Sequence, residues 1–348
     1  MTVAIFLGSL LIAMAIGIPI AYSLLLSGIA LMWHLDLFDA QILAQNVING
    51  ADSFPLLAVP FFMLAGEIMN VGGLSKRIVK LALAVVGHVP GGLGYVAIMA
   101  AVILAAVSGS AVADAAALAS LLLPMMVAAG HDKARSAGLI ASAGIIAPVI
   151  PPSIGFVIFG VAANVSISKL FLAGIVPGVL LGIALAITWW WLVRREKVAP
   201  PARASRAEVL KALRESVWAL GLPVIILVGL RMGVFTPTEA AVVAAVYALF
   251  VAMVVYRELS FRQLADIFQA AARTSAVVMF LVAAAMVSAW LITPPVGTVL
   301  NVVAGVGRIS MSDVTRGVMP FMLAQFIVMF LLVAFPSIVM VPLRWLGG

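Results

Sequence analysis

Apolar positions dominate this chain in blocks rather than in a two-residue alternation. Residues 89–113, 136–168, 170–193, 274–307 and 317–343 carry no charged side chain, and neither do the first 33. A helix needs about 20 apolar residues to cross a bilayer core. The ten-residue alternating segments of a membrane β-barrel are absent. The pattern predicts an all-α polytopic membrane protein. Helices are expected near 3–33, 54–70, 78–107, 111–129, 137–163 and 168–193, then 217–234, 237–256, 266–292, 294–307 and 315–345. The first segment is too long for a signal peptide and lacks a basic start, so it reads as membrane helix, kinked near Gly17-Ile18-Pro19. Segments 54–70 and 111–129 are short for a full crossing and are candidates for re-entrant or interfacial helices.

Composition sharpens this. Of 348 residues, 65% are hydrophobic and only 9% charged, against about 25% charged in a soluble domain. The net charge of +7 does not point to nucleic acid. Most of the excess lies between Arg194 and Glu215, where cytoplasmic loops of membrane proteins concentrate Lys and Arg. Trp189-Trp190-Trp191 precede that loop, with rings expected at headgroup level. Residues 205–216 read as a short amphipathic surface helix. The loop divides the chain into 1–193, a basic cytoplasmic linker at 194–216, and a shorter part at 217–348. There is no cysteine, so disulfides and thiolate metal sites are excluded.

Within the apolar blocks, backbone breaks stand out. Pro151-Pro152 lies in Pro148-Val149-Ile150-Pro151-Pro152-Ser153-Ile154-Gly155, and Pro294-Pro295 lies in Thr293-Pro294-Pro295-Val296-Gly297-Thr298. The two stretches are offset by about 143 residues and align with one-residue gaps. Proline removes an N–H and clashes with the preceding turn, so each pair frees carbonyls at membrane depth. Those oxygens suit a bound cation; the structural alternative is a kink satisfied by neighbouring helices. Matching breaks in two halves of a membrane chain point to a transporter binding site. A third break is Ser108-Gly109-Ser110-Ala111-Val112-Ala113-Asp114, where a helix N-terminus could meet an anion and Asp114 would be an intramembrane charge. Its structural alternative is a small-residue helix contact with a cap. Candidate substrate-binding residues are Ser108, Ser110, Asp114, Ser153 and Thr298. Candidate sodium ligands are Ser108, Gly109, Ser110, Pro151, Pro152, Gly155, Thr293, Pro294, Pro295 and Gly297.

Other features read as structure. Thr236-Pro237-Thr238-Glu239 is a capping box. Glu67 ends an apolar run near Lys76 and Arg77 and reads as interfacial. His34, His88 and His131 lack metal-site spacing. The phosphate-cradling Gly-x-x-x-x-Gly-Lys-Ser/Thr loop, the Gly-x-Ser-x-Gly elbow and the His-Glu-x-x-His helix do not occur, so the chain shows neither ATP coupling nor an embedded enzyme.

The stretches PLLAVPFFMLAGEIM (55–69), SGSAVADAAALASLLLPMM (108–126), GIIAPVIPPSIGFVIFG (144–160), SISKLFLAGIVPG (166–178), FTPTEAAVVAAVYALF (235–250) and TPPVGTVLNVVAGV (293–306) resemble the large membrane subunit of tripartite ATP-independent periplasmic (TRAP) transporters. Residues 51–95 and 166–191 are most similar to the 2,3-diketo-L-gulonate branch of that family. The resemblance implies a multi-pass protein of the bacterial inner membrane. It implies an elevator-type transporter with inverted repeats, broken helices and a re-entrant hairpin. It also implies symport of a small organic acid with sodium as the coupling ion and no cofactor. A periplasmic substrate-binding protein and a small membrane subunit are the implied partners. By resemblance, Ser108 to Ser110 form the tip of the first hairpin and Pro151 to Gly155 complete the first sodium site. Pro294 to Thr298 would be half of the second.

The chain departs from the family at one place. Ala289-Trp290-Leu291-Ile292-Thr293 runs directly into Pro294-Pro295, where the family carries roughly three to four more helix lengths of ~20 residues. The second repeat is therefore expected to be incomplete, with residues 266–307 forming a kinked helix pair near Pro294. Two alternatives follow: a carrier that needs no binding protein, and a transport-impaired relative that only pairs with the small subunit.

Overall fold

The computed structural model describes residues 2–34, 38–163, 165–194, 196, 198, 202–288 and 311–347. Among them every regular element is helical: α1 (Thr2–Ala15), α2 (Ile20–His34), α3 (Ala40–Ala51), a 3-10 turn (Phe54–Leu57), α4 (Ala58–Val71), α5 (Leu74–Val86), α6 (Gly92–Ser108), α7 (Ala111–Ala128), α8 (Lys133–Gly144), α9 (Ile154–Ala162), α10 (Ile167–Val193), α11 (Arg206–Arg231), α12 (Pro237–Phe250) with a π-turn (Val251–Val255), α13 (Phe261–Ser288), α14 (Met311–Ala334) and α15 (Ser337–Gly347). Six of these stretches are long and apolar enough to cross a membrane. Phe54–Val71 and Ala111–Ala128 are among them at 18 residues each, so length alone does not mark them as re-entrant.

Helix starts follow the sequence closely. Ser110, Asp132, Ser153, Ser166, Ser205 and Thr236 each cap the helix that follows by accepting a backbone N–H. An N-terminal cap of this kind satisfies one of the donors that a helix start leaves open. The Thr236–Glu239 capping box forms as expected, with Thr236 N donating to Glu239 Oε2 at 2.8 Å. Gly17, at φ 87°, separates α1 from α2 at the expected kink.

The structure differs from expectation at several points, among them 315–345, which is two helices with a break at Phe335-Pro336. The segment 78–107 is two helices, because His88-Val89-Pro90-Gly91 makes a turn with Gly91 at φ 70°. The amphipathic stretch 205–216 is not a separate surface helix; it runs without a break into α11. α3 occupies a region read as loop. Trp189 does not present its ring to the surroundings: it is fully buried, and its Nε1 donates to Gly91 O at 2.8 Å, whereas Trp190 and Trp191 are exposed. The kinked pair expected near Pro294 lies outside the described residues.

α4 runs through the middle of the main core, touching α5, α6, α7, α9, α12 and α13. On one side α6 and α7 form a helical hairpin whose tip is Gly109-Ser110. On the other side α8, the turn 145–153 and α9 make a broken segment that packs against α10. α14 lies across α8 and α10.

Candidate functional site

The hairpin tip and the broken segment meet. Gly109 ends α6 in the left-handed region at φ 60°, and a Cβ there would run into the carbonyl oxygen of Pro152. Left-handed backbone costs a non-glycine residue roughly 1–2 kcal/mol. Two main-chain segments thus touch with no side chain between them. On a third side α4 closes in: a Cβ on Gly66 would lie 3.4 Å from Ser108 Cβ.

The tip is ordered by its own polar groups. Ser108 Oγ donates to Asp114 Oδ1 at 2.6 Å, and Ser110 N donates to Ser108 Oγ at 3.1 Å. Ser110 Oγ accepts from Ala113 N at 3.4 Å, capping α7. Asp114 is 4% exposed, and its second carboxylate oxygen, Oδ2, has no partner among the described residues. A buried carboxylate oxygen left in this state is costly unless something cationic or a donor reaches it.

The broken segment is built in the same manner. Pro148, Pro151 and Pro152 prevent a continuous helix. Val149 N and Ile150 N both turn back to Ile146 O, at 2.9 and 3.1 Å, and the Pro151–Pro152 bond is cis. Ser153 Oγ donates to Pro148 O at 2.5 Å and accepts from Phe156 N at 3.2 Å, restarting the chain as α9. α10 presses close behind it: a Cβ on Gly174 would meet Val149 O and the Phe156 ring, and one on Gly178 would meet Ile150.

Ser108, Gly109, Ser110, Asp114, Pro151, Pro152 and Ser153 are therefore brought into one region by two elements that are some 40 residues apart in sequence. The hydroxyls of Ser108, Ser110 and Ser153 are already held in local bonds, which leaves Asp114 Oδ2 as the open side-chain oxygen of this region among the described residues. Gly155 lies inside the first turn of α9, where a Cβ would make only ordinary contacts, the nearest at 3.5 Å. Thr293, Pro294, Pro295, Gly297 and Thr298 lie outside the described residues. Sequence reading missed Gly66, whose neighbour Glu67 drew attention instead. It also missed Gln325, a buried amide on α14 that donates from Nε2 to Ser142 O at 3.0 Å. A lone amide in the apolar run 317–343 was the available signal.

Comparison with known proteins places the chain in a family. The chain matches the family described as the tripartite ATP-independent periplasmic transporter, DctM component, over residues 7–293 and again over 286–338. It is 47% identical to the 2,3-diketo-L-gulonate TRAP transporter large permease protein YiaN of Escherichia coli (strain K12), over all of both chains. It is 33% identical to the sialic acid TRAP transporter large permease protein SiaM of Vibrio cholerae, covering 95% of this chain and 96% of that one. A C4-dicarboxylate large permease, DctM of Vibrio cholerae, is 44% identical over 71% of this chain and 54% of its own length. The YiaN alignment spans 425 positions against 348 residues here, so at least 77 of its positions face a gap. Residues 286–293 belong to both family matches, which puts the gap at the Leu291-Ile292-Thr293 junction where the sequence departs. All of these relatives are permeases, and the chain belongs to the DctM family of TRAP transporter large membrane subunits.

Proposed function

We propose that this chain is the large permease of a symporter that imports a small organic acid together with sodium. The observation that carries the reading is the approach of Gly109 to the Pro152 carbonyl. Helix ends that break at mid-membrane expose carbonyls suited to a cation and N-termini suited to a carboxylate. Here the last turn of α6 and the 145–153 segment supply carbonyls, and α7 and α9 begin beside them. Asp114 suits the cation better than the substrate, since its charge would repel an acid. The substrate class follows from the relatives, of which the 47% identical one is named for a sugar acid. A periplasmic binding protein would deliver the acid and a small membrane subunit would brace the permease, in the inner membrane. Movement would follow an elevator pattern between inverted repeats, echoed by the offset proline pairs.

The gap of at least 77 positions favours a second reading: a chain that retains the first cation site but transports poorly. Two measurements separate them. In proteoliposomes with both partners, a sodium gradient should drive accumulation of a labelled sugar acid. In detergent, radioactive sodium should bind the purified chain. Binding without uptake supports the second reading. Absence of binding overturns both.

A further inference from the structure

We propose that α5 and the start of α11 form a binding surface for anionic phospholipid headgroups of the cytoplasmic leaflet. The face is named cytoplasmic from the basic linker beside it.

α5 has 13 residues, about 20 Å of helix, too short to cross a bilayer. Its N-terminal end is fixed where α11 and the end of α12 meet. Ser216 Oγ donates to Arg77 O at 3.0 Å, Arg77 Nη1 pairs with Glu258 Oε1 at 2.6 Å, and Tyr256 Oη donates to Glu215 O at 2.7 Å. Its other end leads through Gly91, which lies against Val193, the last residue of α10. Both ends thus rest on segments flanking the basic linker, so α5 runs along that face. It buries Leu74, Ile78, Leu81 and Ala82, and it exposes Lys76 and Lys80 one turn apart on the opposite side. A short helix with an apolar underside and a lysine-bearing face is the form of an interfacial helix.

The neighbouring charges have the same sign. Lys211 and Arg214 on α11 and Arg257 after the π-turn are also exposed. Among the described residues none of these five cations has an ion-pair partner. The acids nearby are engaged elsewhere: Glu258 with Arg77, and Glu208 in a capping box with Ser205. Glu208, still charged in its capping box, and Glu215 add two negative charges against five positive ones. Leu210 (67% exposed) and Val217 (52%) sit beside Lys211 and Arg214 on α11. A cationic rim next to exposed apolar side chains matches a phosphate with acyl chains attached, which a free phosphate ion lacks.

A cation near an anionic leaflet is worth about fivefold in affinity, so two together are worth about thirtyfold. The test uses the full chain, purified from membranes and supplied with phosphatidylglycerol or phosphatidylcholine. Lipid retained per chain is then read by native mass spectrometry. The wild type should keep phosphatidylglycerol under detergent washing that strips phosphatidylcholine. The exposed pair Lys76→Gln/Lys80→Gln should lower that retention by about thirtyfold. Lys169→Gln, at the far end of α10, should not. The proposal is overturned by equal retention of both lipids, by unchanged retention in the double variant, or by an equal loss in Lys169→Gln. Displacement by inorganic phosphate at constant ionic strength would overturn the lipid as source.

Discussion

Two carboxylates, Asp114 and Glu196, show how differently one chemical group can be used in one chain. Glu196, just past α10, has both oxygens engaged: Oε2 with His131 Nδ1 at 2.7 Å, and Oε1 with Arg135 Nη1. His131 in turn lies against Trp189, ring centroids 5.4 Å apart, and Trp189 holds Gly91. That network ties the α7–α8 turn to the end of α10 and the start of α6, and none of its buried side-chain polar atoms lacks a partner among the described residues. Asp114 is more deeply buried but half-satisfied. A fully partnered carboxylate reads as a fastening. A buried one with an open oxygen reads as a place kept for a ligand.

The contrast can be broken in several ways. The largest effect is expected from Gly109→Ala. It adds the roughly 1–2 kcal/mol of left-handed strain to an overlap with the Pro152 carbonyl, a main-chain atom that cannot swing away. Sodium binding should disappear and the thermal midpoint should drop; a variant that binds normally would mean the tip and the break are not one site. Glu196→Ala comes next. It strands His131 and Arg135 and should cost about 1–3 kcal/mol of stability, seen as a lower melting temperature, with sodium affinity intact.

Asp114→Asn should do the reverse. Losing one charged contact of about 1.5–3 kcal/mol should weaken sodium binding by roughly ten- to hundredfold. The melting temperature should hold or rise, because an unpaired buried charge is gone. If Asn at 114 melted early and bound sodium as before, the roles assigned to the two acids would be exchanged. The smallest effect belongs to Thr236→Ala, which removes one cap of α12. About 1 kcal/mol of stability should be lost, with no change in sodium affinity measured by the same binding assay.

Much of the site was legible because it depends on backbone, and prolines and glycines announce backbone. Pro148, Pro151, Pro152 and Gly109 could be read as breaks from sequence alone. What could not be read was which break faces which, since Gly109 meets Pro152 only through the packing of α6, α9 and α10. Gly66 was invisible for the same reason: its role is closeness to Ser108. The tryptophan triplet did not reveal which ring is buried, because the burial of Trp189 depends on the space left by Gly91 and Gly94 at the start of α6. The α11 start looked like a surface helix because its charges ended the apolar pattern, although helical geometry did not end. Its Ser205–Glu208 box marked the true start. α3 is short and carries Gln and Asn rather than charges among its apolar residues, so it drew no notice even though Asp39 and Asp52 bracket it.

The touch between Gly109 and Pro152 also limits how such a carrier can diversify. Pro152 enters the contact through its main-chain carbonyl and Gly109 has no side chain, so neither atom that touches can be changed by substituting a side chain. New selectivity has to come from the ring outside it, at positions such as Ser108 and the helix face around Gly66. Under the function proposed above, cargo preference could drift between relatives while the Gly109–Pro152 contact stays fixed.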